Sequence, residues 1–183
     1  AAARPPLPER AAVSVARDRY PTRGALILVL NCGSSSIKFA LFDAGQSPLP
    51  RAPVWNGKVQ GIGGPVPTYG ETGIAPKPLA LDPQHPYRAA LQRIRAGVLT
   101  RLGDRRLHAI AHRVVHGGSK YFDPVCVDAQ VLADLKSYIP LAPLHQPFAL
   151  EAIEILLDER PDLPQVACFD TGFHHTIPMV EQI

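Results

Sequence analysis

The stretch Ala25–Asp43, ALILVLNCGSSSIKFALFD, decides how the rest of the chain is laid out. Ala25–Leu30 is an apolar run of strand length, and Ile37–Phe42 is a second one rich in β-forming residues. The six residues between them, Asn31–Ser36, are almost all small and turn-forming. Two such runs joined by such a turn predict a β-hairpin. A Walker loop would need a strand, G-x-x-x-x-G-K-[ST] and then a helix, and that spacing is absent. A turn of small residues lets backbone N–H groups approach an anion. Ser34, Ser36 and the Asn31 amide add contacts there, and Lys38 adds a positive charge. An ordinary serine-rich turn is the plain alternative on this stretch alone.

Working outward, residues 1–24 are rich in Ala, Arg and Pro with no hydrophobic segment, which predicts a flexible N-terminal extension and not a secretory signal. Prolines and glycines break up residues 44–86, with candidate strands at Val54–Ile62 and Ile74–Leu81. Pro86–Leu102 carries Tyr87, Leu91, Ile94 and Val98 at helical spacing, with Gly103 placed to stop the helix. In Arg106–Gly118, Leu107, Ala109, Ala111, Arg113 and Val115 share one face of a strand, and His108, Ile110, His112, Val114 and His116 share the other. A short helix is expected over Asp128–Tyr138, an irregular segment over Pro140–Pro147, and a helix from Phe148 to Glu159 closed by Pro161. Gln165–Phe169 reads as a buried strand that delivers Asp170 to its carboxyl end, where ligands bind in open α/β sheets.

Arg113 is the most informative charge, because an arginine inside an apolar strand needs a carboxylate or a phosphate beside it. An internal ion pair and a site for a short aliphatic acid or its phosphate both meet that need. His112 and His116 are four apart on a strand with no third ligand at suitable spacing, which argues against zinc. His145 lies in the proline-bounded loop, suited to a ligand contact or simply to the surface, and His174-His175 carries no assignment. Asp170-Thr171-Gly172 also matches the core of an aspartic protease signature. Those enzymes need two such carboxylates sharing a proton, and this chain has one, with Phe173 where Ser or Ala is expected.

The totals set outer bounds. A chain of 183 residues is long enough to bury a core, and one domain is the default. Five arginines against Glu9 and Asp18 in residues 1–24 account for the whole net charge of +3, so no basic face for nucleic acid is indicated. No apolar stretch reaches the roughly 20 residues needed to span a bilayer. Cys32, Cys126 and Cys168 form no C-x-x-C pair and are expected as reduced thiols in the cytoplasm.

Taken together, LNCGSSSIKF, AHRVVHGGSKY, LAPLHQP and VACFDTGFHHTIP resemble the acetate kinase family, in the family's order and spacing from about Leu26 to Pro178. The resemblance implies an α/β fold with a mixed β-sheet of the actin-like ATPase (ribonuclease H-like) type, residues 25–183 forming the first of two such domains. It implies phosphoryl transfer between ATP and acetate to give ADP and acetyl phosphate, with Mg²⁺ (or Mn²⁺), in a cytoplasmic homodimer that needs neither nucleic acid nor membrane. Propionate and butyrate kinases share the pattern. By resemblance Asn31 is a magnesium-site residue, and Lys38, Ser34 and Ser36 contact nucleotide phosphate. Arg113 binds substrate and phosphoryl group, Val115 and Leu144 form the acyl pocket, His145 contacts the phosphoryl group, and Asp170 is the catalytic acid/base. Gln146 and Gly172 depart from the family's usual Asn and Ala. The family runs to about twice this length, so the chain is expected to be inactive alone; a half-kinase that only folds and binds is the non-enzymatic alternative.

Overall fold

Ala25–Gly33 (β1) and Ser36–Asp43 (β2) pair antiparallel as the expected hairpin. The strands run deeper into the small-residue segment than composition suggests. Asn31 pairs with Lys38 and Gly33 with Ser36, so the turn is only Ser34-Ser35. Each added pair extends the ladder of backbone hydrogen bonds, which outweighs the turn preference of these residues. Neither serine has a positive φ, so the turn is not one of the mirror-image types usual in two-residue hairpins.

This computed structural model describes residues 24–46, 48 and 50–172. The expected extension over 1–24, Gly24 apart, the His174-His175 pair and the end of the expected 25–183 domain lie outside the described residues. The remaining strands are β3 (Trp55–Gln60), β4 (Thr68–Glu71), β5 (Ile74–Pro78), β6 (Arg106–Val114), β7 (Val125–Cys126) and β8 (Gln165–Phe169). The helices are α1 (Pro86–Leu102), α2 (Ala129–Ser137) and α3 (Gln146–Glu159). β3 falls within the expected 54–62 and β5 is shorter than the expected 74–81, while β4 and β7 were not foreseen. Both α1 and β8 match their expected bounds. Gly103 ends α1 at φ 53°, a conformation that favours glycine. Asp128 caps α2 by accepting from the Val131 N–H at 2.8 Å. α3 starts two residues before Phe148, because Pro147 sits in its first turn, where a missing N–H costs no helical bond.

The eight strands form one mixed sheet in the order β5-β4-β3-β2-β1-β6-β8-β7. β6 runs parallel to β1 and to β8, while β2 to β5 continue outward as an antiparallel meander. Alternation along the strands separates two faces. One carries Leu26, Leu28, Leu30, Ile37, Phe39, Leu41 and Ile110, packed with Leu91 and Ile94 of α1 and Ala152 and Leu156 of α3 in the main core. A second core joins Val114, Ala167 and Phe169 to Leu135 of α2 and to Leu150 and Ile153 of α3. The other sheet face carries Asn31, Lys38, Lys58 and Arg113, and that face holds the polar residues of interest.

Candidate active site

Parallel pairing brings three strand ends together. Leu30 of β1 is level with His112 of β6, and Val114 of β6 with Phe169 of β8. Asn31, Arg113 and Asp170 therefore meet at the carboxyl ends of three adjacent strands. Arg113 Nε donates to Asp170 Oδ1 at 2.9 Å and its Nη2 to Oδ2 at 2.5 Å, while Nη1 donates to Asn31 Oδ1 at 3.2 Å. The partner that sequence demanded for Arg113 is thus the Asp170 carboxylate. The arginine is not buried, however: its side chain is 50% exposed and that of Asp170 39%. The neighbours of Arg113 in sequence, His112 and Val114, are buried toward the helices, whereas Arg113 points to the opposite side of the sheet. A half-exposed fork that binds one carboxylate through two parallel bonds can exchange it for another carboxylate or a phosphoryl group.

Lys38 stands across from Asn31 on β2, exposed and on the same face. Ser36 lies in β2 opposite Gly33, and Ser34 lies exposed in the turn. The hairpin tip is pinned from the helix side, where the Tyr87 hydroxyl donates to the Gly33 carbonyl at 2.8 Å. Asn31, Lys38, Arg113 and Asp170 are accordingly one cluster, with the serine turn at its rim.

Val115, Leu144 and His145 are not gathered to the same point. Val115 is half-buried just beyond β6, Leu144 is 75% exposed, and His145 is exposed at the N-terminus of α3. No hydrogen bond or ion pair joins the His145 side chain to Arg113 or Asp170 among the described residues. The loop is nevertheless tied to the end of β6 through Gln146, a residue that local pattern places only in the irregular segment before α3. Its buried side chain accepts from the His116 N–H at 3.2 Å and donates to the His116 carbonyl at 2.8 Å. This explains why Gln serves here: its amide closes a two-bond clamp on the backbone next to Val115. Thr171 Oγ1 accepts from the Gly117 N–H at 3.4 Å, linking the segment after β8 to the same turn. At Gly172 a Cβ would come within 2.2 Å of the Phe122 carbonyl oxygen, which accounts for glycine in place of the usual Ala.

The histidine pair does not form a metal site. His112 is buried on the helix side with Nε2 2.7 Å from Gln165 Oε1, and burial pushes its pKa down to about 4, so the ring is neutral. His116 Nδ1 accepts from the Gly118 N–H at 2.7 Å. Burial, the largest influence on the Cys32 thiol, pushes its pKa up to about 12, which leaves it unreactive. No disulfide occurs among the described residues. No group of three or more His, Cys, Asp or Glu side chains among them encloses a metal position. Asn31 Oδ1 and the Asp170 carboxylate are hard oxygen donors, which fits a Mg²⁺ or Mn²⁺ ion that keeps most of its coordination to phosphate and water.

A sequence model of the acetokinase family matches residues 26–182. The acetate kinase of Rhodopseudomonas palustris is 40% identical over 157 residues, covering 85% of this chain and 39% of that one. Among solved structures, a propionate kinase from Francisella tularensis superposes with a TM-score of 0.70 at 36% identity, covering 84% of this chain and 39% of its own. Porphyromonas gingivalis acetate kinase superposes with a TM-score of 0.69 at 32% identity, again covering 84% and 39%. The chain thus spans about 39% of the length of these relatives. The fold is the actin-like ATPase fold of these kinases, as the resemblance implied. No helix among the described residues is long and apolar enough to cross a membrane.

Proposed function

The chain belongs to the acetokinase family, and we propose that its sheet face carries the acid- and phosphoryl-binding part of an acetate kinase, which transfers the ATP γ-phosphoryl group to acetate and back. The observation that supports this most is the Arg113 fork held between Asp170 and Asn31 at three strand ends. Phosphoryl transfer depends on positioning and charge neutralisation more than on covalent chemistry. Arg113 offers its two parallel N–H bonds to the acetate carboxylate or the moving phosphoryl group, displacing Asp170. Asp170, released from the fork, serves as acid/base toward the acceptor oxygen. Lys38, with Ser34 and Ser36 at the rim, takes the nucleotide phosphates, and His145 donates to the phosphoryl group once its loop faces the cleft. Asn31 would hold Mg²⁺ through its carboxamide oxygen, and the ion would supply charge neutralisation on the phosphates. By resemblance, Val115 and Leu144 would form the wall for the acyl methyl group once the same loop brings the exposed Leu144 to the cleft. The whole enzyme is in this reading a cytoplasmic homodimer, acting on small molecules without nucleic acid or membrane.

The acyl chain is the point on which the family divides, and the experiment is direct. In a full-length enzyme carrying residues 26–182, kcat/KM should fall from acetate to propionate to butyrate. One methylene in such a pocket is worth about 1–3 kcal/mol, so each step should be roughly tenfold or more. A preference for propionate would move the enzyme to the neighbouring kinase class with the same site residues.

A further inference from the structure

A second cationic feature lies beside the Arg113 cluster. Lys38 of β2 and Lys58 of β3 are direct cross-strand partners on the same sheet face. Side chains so placed have their Cβ atoms about 5 Å apart, and like charges in that position repel. No carboxylate relieves them: neither ammonium forms a hydrogen bond or ion pair with another described residue. Several other cations in the fold are matched to carboxylates, Arg88 to Glu159, Arg101 to Glu71 and Lys136 to Glu154. Glu71, the acid nearest in sequence pairing, is already occupied, accepting from Trp55 Nε1 at 2.8 Å and from the Tyr69 hydroxyl at 2.7 Å.

The two lysines line an open groove of about 430 Å³ together with Asn56, Gly70, Glu71, Thr72 and Pro76, the Glu71 carboxylate being held by Arg101, Trp55 and Tyr69. That volume is in the range of small-molecule sites. Gly70 is the cross-strand partner of Lys58, and a Cβ there would stand 3.2 Å from the Pro76 ring, so the glycine keeps the floor open. Lys58, Lys38 and Asn31 then form a continuous row from this groove to Arg113.

We propose that Lys58 and Lys38 together form a polyphosphate-binding groove that adjoins the Arg113 site, Lys58 being the residue that extends anion binding outward onto β3. Two compact, flexible ammonium groups facing the same open space suit a chain of phosphate groups, each of which carries charge along its length. The same chemistry is offered by the tail of a nucleotide and by free inorganic polyphosphate. The nucleotide assignment rests on the kinase reading above, whereas binding of the anion itself does not.

The test is calorimetric titration of the chain with inorganic tripolyphosphate, ATP and AMP, without metal, comparing the unaltered protein with Lys58→Ala and Lys58→Arg. Lys58→Ala should weaken tripolyphosphate binding about tenfold, the worth of one charge-assisted contact, and Lys58→Arg should keep most of it. Raising the salt should weaken binding to the unaltered protein more than to Lys58→Ala. The unliganded Lys58→Ala protein should be at least as stable as the parent, since a like-charge pair is removed, so loss of binding is not loss of fold. Equal weakening for ATP, with AMP unaffected, identifies the nucleotide tail; weakening for tripolyphosphate alone identifies free polyphosphate. Tripolyphosphate binding that is absent, or unchanged in Lys58→Ala, overturns the proposal. Loss of acetate-dependent ATP turnover in the full-length enzyme with these binding data intact would instead overturn the kinase reading and leave the groove standing.

Discussion

Replacing Arg113 with Ala in a full-length enzyme carrying this domain should lower kcat/KM for acetyl phosphate formation by about 10²–10³, the cost of losing one preorganised donor group at the reacting charge. The same change should hardly affect the fold. The Arg113–Asp170 pair is half-exposed, and pairs of that kind are worth about 0–1 kcal/mol in stability. An arginine kept only as a structural ion partner would behave in the opposite way, with a shifted denaturation midpoint and near-normal catalysis. Arg113→Lys is the informative companion. Lysine keeps the charge but lacks the fork that engages Asp170 through two nitrogens and Asn31 through a third. Most of the activity should therefore stay lost in that variant as well. Near-normal kcat/KM in either variant would refute the assignment.

The largest effect on stability is expected at Gly118, where Ala should cost about 2–5 kcal/mol. Gly118 has φ 65°, and a side chain in the left-handed region costs about 1–2 kcal/mol. A Cβ there would also lie 2.2–2.5 Å from ring atoms of Tyr138, and overpacking of this kind adds about 1–3 kcal/mol. Tyr138 cannot simply turn away, because its ring packs on the second core, against the cluster around Leu135 and Phe169. The neighbouring Gly117 is under similar pressure, with a Cβ meeting the Tyr121 carbonyl oxygen at 1.9 Å. The turn they form directly follows Arg113 and Val115, so its shape sets where β6 releases its side chains. Urea denaturation is the check: the midpoint should fall with an unchanged slope. A shift worth under about 1 kcal/mol would show that the turn relaxes freely and carries no such strain.

Much of this was legible because it is local. The hairpin, α1 with its Gly103 stop, α2 and β8 follow from periodicities and end signals within a dozen residues or so. The need of Arg113 for an anionic partner was legible too, since it rests on the chemistry of one side chain in its strand. What was not legible is long-range or competitive. Asp170 lies 57 residues from Arg113 in sequence, and only the parallel β1–β6–β8 register brings the two together. The length of the hairpin turn depended on ladder bonds overriding the preferences of Asn31, Gly33 and Ser36. β4 was hidden among prolines and glycines, and with it the register that sets Lys58 against Gly70. The Gln146 clamp on His116 could not be foreseen either, because it spans 30 residues and joins a side chain to backbone. Val115, Leu144 and His145 remain assigned by resemblance and by their place beside that clamp.

Under the proposed function, residues 26–182 supply one side of a phosphotransfer cleft whose other side comes from the remaining length of the relatives. In-line transfer needs nucleotide and acceptor held on opposite sides of a water-excluded cleft, so neither side suffices alone. The most direct measurement is acetyl phosphate formation from acetate, ATP and Mg²⁺ by residues 1–183 alone and by the same residues joined to the remaining part of the Rhodopseudomonas palustris relative. No detectable product is expected from the chain alone, and acetate-dependent product is expected from the joined protein. Full activity from residues 1–183 alone, or none from a folded joined protein, would contradict it.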